Sequence, residues 1–237
     1  MTVIERTLTW LADPAHWSGP NSIPLRLGEH AAISFASLLI ALLLALPVGL
    51  WIGHTGRGAA LAVNLANLWR ALPSLAVIAI ALPITVNIDP QAGFKVYPTV
   101  VAMIVLGLPP ILVNTHAAIS GVERDLVEAG RGQGMSGAQV LARIELPLAV
   151  PAITTGIASA AIQIVATATL GAVFGFGGLG RYLIDGMAQA DVGQTVGGAL
   201  LVAALVIVTE AGFALLGWAL TPRGLRAARA AAAGQIT

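Results

Sequence analysis

The chain has 237 residues, 57% hydrophobic and 10% charged, with a formal net charge of +1 and a mean hydropathy of +0.87. Soluble domains carry about 25% charged residues, so this composition belongs in a bilayer and offers no basic surface for nucleic acid. With no cysteine, and with His16, His30, His54 and His116 dispersed and forming no HExxH-type pair, disulfide, Cys-redox and metal chemistry are not expected.

Residues 1–30 hold one short apolar stretch, 8–12, broken by Asp13 and Pro14, and lack the basic start and continuous apolar run of a cleaved signal. They read as an interfacial segment, with Trp10 and Trp17 suited to the headgroup zone. Five later segments, 31–52, 59–83, 97–120, 148–173 and 196–220, have the roughly 20 residues needed to cross about 30 Å of hydrocarbon. The expected organisation is an all-α membrane protein: an N-terminal segment 1–30, a transmembrane domain 31–220 with a loop at 122–147, and a tail 221–237. Pro47, Pro73, Pro83, Pro109 and Pro110 interrupt the spans and predict bends, because the carbonyls they free must be satisfied elsewhere. Gly156, Ser159 and Ala160, like Gly193, Gly197 and Gly198, allow close helix approach.

With the N-terminus outside, Arg57, Arg124, Arg131, Arg143, Arg223, Arg226 and Arg229 fall inside, and Arg6, Arg26, Lys95 and Arg181 outside. The positive-inside rule favours that choice, which puts the 122–147 loop and the tail in the cytoplasm.

Within the loop, Asp125 with Glu128 and Ser136 with Gln139 both have capping-box spacing. They predict a first helix over 126–131, ending at Gly132 or Gly134 where glycine accepts a left-handed backbone, and a second after Ser136. Met135 before that cap and Val140 after it fit a hydrophobic staple, and Val140 and Ile144 then share a face. Pro147 closes the unit by disfavouring the α conformation at Leu146. Such a pair suits a lipid surface and a protein-docking element equally.

Arg70 and Glu210 lie inside spans, each about ten residues from the cytoplasmic end and so at similar depth at 1.5 Å per residue. A charge there is costly unless paired or hydrated. Either they pair or face one water-filled vestibule, or each meets water or a partner subunit separately. Asn114, Thr115 and Thr169 are further polar candidates.

Glu128-Ala129-Gly130, three residues, Gly134, nine residues, then Ile144-Glu145-Leu146-Pro147 resembles the EAA loop of ABC importer permeases, with Gly130 where that family usually has alanine. That substitution costs the first helix about 1 kcal/mol. Arg70-Ala71-Leu72-Pro73-Ser74-Leu75-Ala76 resembles a segment in the second helix of osmoprotectant permeases, and Pro110-Ile111-Leu112-Val113-Asn114-Thr115 is similar to their PxxxNT. Gly175-Phe176-Gly177-Gly178-Leu179-Gly180 is similar to the GAGGLG of osmoprotectant and methionine permeases. The resemblance implies the five-helix type I importer fold and a permease for glycine betaine, choline, carnitine or proline, with a methionine or other amino-acid importer as the alternative. It implies that Glu128, Ala129, Gly130, Gly134, Met135, Ser136, Ile144, Leu146 and Pro147 couple to an ATPase. Arg70, Pro73, Ser74, Asn114, Thr115 and Glu210 are expected along the pathway or its gate.

The implied partners are cytoplasmic ATPase subunits, which would bind ATP and magnesium so that this chain needs no cofactor, a second permease chain, identical or paralogous, and an extracytoplasmic binding protein. The implied location is the bacterial inner membrane. Gly175 to Gly180 matches GxGxxG but precedes no βαβ crossover helix, so it reads as a flexible external turn. The glycines at 130, 132 and 134 lack the GK[ST] ending of a phosphate loop, and no catalytic constellation stands out. Phe94, Tyr97, Phe174, Phe176 and Tyr182 form no compelling cage for a quaternary ammonium, which places selectivity in the binding protein. An ion-coupled transporter would rest on Glu210 alone, and a structural scaffold would have no need for the capped loop.

Overall fold

The computed structural model describes residues 1–222 and 224, and these contain helices and no strand. The helices are α1 (Val3–Ala12), α2 (Ile23–Thr55), α3 (Ala59–Arg70), α4 (Ser74–Ile88), the single turn α5 (Ala92–Lys95), α6 (Tyr97–Ser120), α7 (Arg124–Gly132), α8 (Gly137–Val140), α9 (Leu146–Ala168), α10 (Gly180–Ala188) and α11 (Val192–Leu220). Four stretches are long and apolar enough to cross a membrane: Ile23–Thr55, Tyr97–Ser120, Gly137–Phe174 and Val192–Leu220. The expected second span is instead two helices, α3 and α4, bent by 96° at a short break. Counted as one broken span, they make the fifth.

Pro73 explains the break. It stands as the N-cap of α4 with extended backbone, and its missing N–H removes a donor that a continuous helix would need. The other prolines do not interrupt: α2 runs through Pro47, α4 through Pro83 and α6 through Pro109 and Pro110. At Pro110 the Asn114 side-chain amide donates to the proline carbonyl at 2.7 Å.

The core is the packing of α6 between α2 and α9. Ala41, Ala45, Met103, Ile111, Ala160 and Ile164 are buried where they meet. Gly49 and Gly53 of α2 let α6 in so close that an added methyl would collide with Thr115 and Ile119 respectively. This is small-residue packing, the arrangement that dispersion and backbone approach favour in lipid. The pair α3 and α4 also packs on α6, and α11 packs on α9.

The N-terminal segment folds back onto the later helices. Helix α1 packs along the start of α11, and Trp10 is buried, stacked on His16 at 4.4 Å and edge-on to Tyr182 at 5.1 Å. Trp10 therefore fills a packing position, whereas Trp17 is exposed. Residues before 31 also belong to the first long helix, because α2 starts at Ile23 behind Ser22 with Pro24 in its first turn, where a missing N–H costs nothing.

Candidate functional site

The segment 124–147 is built by local chemistry. Helix α7 starts after Glu123, so Asp125 sits inside its first turn and the Asp125/Glu128 capping box does not form. Asp125 instead places negative charge at the positive end of the helix. At the other end, Gly134 adopts φ +83°, Met135 N–H donates to Gly130 C=O at 3.2 Å, and Gly134 N–H donates to Arg131 C=O at 2.9 Å. This is the paired-bond stop that needs a left-handed residue, and it sets Gly134 four residues after Gly130.

The second unit forms as expected at its start. Ser136 accepts from Gln139 N–H, and the Gln139 side chain accepts from Ser136 N–H at 2.8 Å. Val140 is fully buried. Met135, Val140 and Ile144 converge on Gly130, and a methyl added there would meet the tip of Ile144 first. Gly130 is thus a contact point between the two halves of the loop as well as a weak helix former.

Pro147 does not close the unit. Leu146 is helical at φ −61°, ψ −48°, and α8 runs into α9 through one π-helical turn, Leu141–Glu145, with Leu146 N–H bonding to Leu141 C=O. The wider turn gives the proline ring room that the carbonyl four residues back would otherwise occupy. The loop's second helix and the fourth span are therefore one rod, Gly137–Phe174.

That rod is fastened to α2. Glu145, with 4% of its surface exposed, meets His54 Nδ1 at 2.6 Å, and the far ring nitrogen of His54 lies against Gly137. Neither residue was among the candidate site residues. A helix-end histidine and the variable residue of the Ile144-to-Pro147 motif carry no local mark of a contact across 91 positions. Above this fastening, Ala129, Gly130, Met135, Ile144 and Pro147 share the wall of an apolar groove of about 520 Å³ with Leu126. Glu128, Gly134 and Ser136 are exposed beside it, while Leu146 is half-buried.

The glycine-rich turn at the opposite end of the rod is tied down. Gly178 N–H donates to Glu29 at 2.7 Å, Leu179 N–H to His30 Nδ1 at 3.3 Å, and His30 Nε2 reaches Val165 C=O at 2.9 Å. Arg26 bridges Glu29 at 2.9 Å and Asn21 at 2.6 Å, and Tyr182 donates to Asn21 C=O at 2.7 Å. Burial pushes the Tyr182 phenol up to about 12, so it stays a donor. Gly177 is pressed against the Glu29 carboxylate and Arg26, leaving no room for a methyl. The expectation of a flexible turn is therefore corrected: its glycines serve close approach.

The remaining candidates scatter. Arg70, Pro73 and Ser74 lie at the bend between α3 and α4, with Arg70 and Pro73 exposed. Asn114 faces Gly156 of α9, and Thr115 is buried against Gly49 of α2, so both sit in helix–helix seams. Thr169 begins a short 3-10 turn after α9, its hydroxyl donating to Ala166 C=O. Glu210 is exposed on α11 and lines a cavity against α9. Arg70 and Glu210 form no ion pair among the described residues, since α3 packs on α6 while α11 packs on α9.

Comparison with known proteins agrees with this geometry. Residues 32–223 match the family described as binding-protein-dependent transport system inner membrane component. The glycine betaine/carnitine/choline transport system permease protein OpuCB of Bacillus subtilis is 34% identical over 199 residues, covering 84% of this chain and 88% of that protein. The choline transport system permease protein OpuBB of the same organism is 35% identical over 198 residues, covering 84% and 88%. Among solved structures, a chain of the inward-facing MetNI methionine ABC transporter aligns with a TM-score of 0.72 at 23% identity, covering 82% of this chain and 94% of that one.

Proposed function

This chain belongs to the binding-protein-dependent transport system inner membrane components and is a permease subunit of an ABC importer, and from that premise we propose that it carries osmoprotectants such as glycine betaine, choline or carnitine. The relatives whose names state those cargoes support the reading, since identity near 35% extends over most of both chains. The likeness to the methionine transporter, at 23% identity, supports the fold and says nothing of cargo.

In this reading the groove around Gly130 receives an ATPase subunit, with Glu128, Ala129, Met135 and Ser136 at its edges. The observation that carries it is the uninterrupted rod from Gly137 to Phe174, held to α2 by His54 and Glu145. A push on the loop then moves α9 and α2 together, and both grip α6, so the whole core responds as a lever. ATP and magnesium belong to the ATPase subunits, and a second permease chain completes the pathway. The loop faces the cytoplasm, and a binding protein delivers cargo at the opposite face, where the Arg26, Glu29 and Gly178 network stiffens the surface.

The reading is tested by reconstituting the permease with its ATPase and binding protein and measuring ATP-dependent uptake. Uptake of glycine betaine or choline in preference to methionine is expected. Methionine preference would transfer the chain to the amino-acid importers, and uptake persisting without ATPase would remove it from importers driven by ATP.

A further inference from the structure

Helices α9 and α11 face each other across a cavity of about 510 Å³ that the loop does not use. On α11 its wall is Glu210, Phe213, Gly217, Trp218 and Thr221, a spacing that puts all of them on one helix face. On α9 it is Pro151, Thr154, Thr155 and Ala158, again one face. The two faces meet at Gly217, whose backbone approaches the Thr154 hydroxyl so closely that a methyl would sit 2.9 Å from it.

The chemistry of the lining is one-sided. Thr154 donates its proton to the carbonyls of Val150 and Pro151 at 3.0 and 2.9 Å, Thr155 donates to Pro151 at 3.0 Å, and Thr221 donates to Gly217 at 2.6 Å. Those three hydroxyls therefore turn only lone pairs outward. Glu210 adds a carboxylate about 15 Å from the end of α11, at 1.5 Å per residue, and Phe213 and Trp218 add ring faces. No Lys, Arg or His lines the cavity among the described residues. An acid at this depth is costly against acyl chains unless water or a positive group meets it.

We propose that this cavity is a binding site for a quaternary ammonium group on the translocation pathway, with Glu210 as counter-charge and Phe213 and Trp218 as the aromatic faces. The proposal rests on the osmoprotectant reading and deepens it. A quaternary ammonium has no N–H to donate and spreads its charge over methyl groups, so it is held by carboxylates and π faces. Among the described residues no cation faces a ligand carboxylate, which the Glu210 charge repels. The site therefore favours a cation such as choline over a zwitterion such as glycine betaine.

The test uses the assembled transporter in nanodiscs without its binding protein, titrated with tetramethylammonium and with choline while tryptophan fluorescence is followed. A saturable change is expected that W218F removes and E210Q weakens at least tenfold, with E210D retaining more binding than E210Q and glycine betaine binding more weakly than choline. F213L supplies a second variant that leaves the charge in place and is expected to weaken binding severalfold. No saturable response in a transporter that imports choline with its binding protein overturns the site and leaves the importer reading standing. Binding without import of any quaternary ammonium upholds the site and overturns the cargo reading. If E210Q lowers choline uptake and adding R70Q restores it, Glu210 is an ion-pair partner across two permease chains and the proposal fails.

Discussion

The two ends of the rod running from Gly137 to Phe174 are built in opposite ways. At the loop end, the Gly134 stop, the Ser136 cap and the Met135, Val140 and Ile144 contacts all join residues within a few turns of one another. At the other end, Glu29, His30 and Asn21 fasten a glycine turn about 150 positions away, as in the Glu29–Gly178 bond spanning 149 residues. A locally built surface keeps its shape while it is moved. A surface tied by long-range bonds is stiff only while its helices stay in register, so the first suits a lever and the second a scaffold that other packing must hold.

The strongest way to break that contrast is to cut the His54–Glu145 bond, which ties the loop end to α2 across 91 positions. Glu145→Ala leaves the half-buried His54 without its hydrogen-bond partner, a loss that costs up to about 3 kcal/mol. The expected result is an intact loop on an unfastened rod: ATPase activity persists while uptake per ATP falls, measured in proteoliposomes. Gly177→Ala should come next, since it drives a methyl into Glu29 and Arg26. Displacing that carboxylate from Gly178 N–H and Arg26 costs about 2 kcal/mol, read as a lower melting temperature in detergent with ATPase association unchanged.

Gly134→Ala is expected to cost about 1 kcal/mol, because alanine resists the left-handed backbone. Its signature should be weaker copurification of the ATPase with little change in melting temperature, the reverse of Gly177→Ala. The smallest effect is expected at Gly130. Alanine gains about 1 kcal/mol of helix propensity there but crowds Ile144, so Gly130→Ala alone should be near neutral. Ile144→Val, which removes the crowding methyl, should let the gain appear in the double variant's melting temperature.

The same contrast governs what could be read from the amino-acid order. Ser136 with Gln139 forms its box because both partners lie in one turn, whereas Asp125 with Glu128 has the same spacing and fails because α7 begins two residues earlier. Hydropathy places the third span, 97–120, at its observed limits but reads the second as one helix, because apolar content does not register a 96° bend. Pro147 misled for a related reason: a proline rule applies to an α turn, and the turn before it is π. His54 with Glu145, and Glu29 with Gly178, join residues whose meeting depends on three packed helices, so no local pattern announces them.

The absence of cysteine from the natural chain makes one measurement decisive for the lever itself. With Ala129→Cys, a single thiol on the rim of the groove, crosslinking to the ATPase subunit in native membranes should be efficient, should reach the loop only from the cytoplasmic side, and should stop uptake when formed. A thiol that fails to crosslink to the ATPase and is labelled only from the outer face would contradict the docking role of residues 124–147.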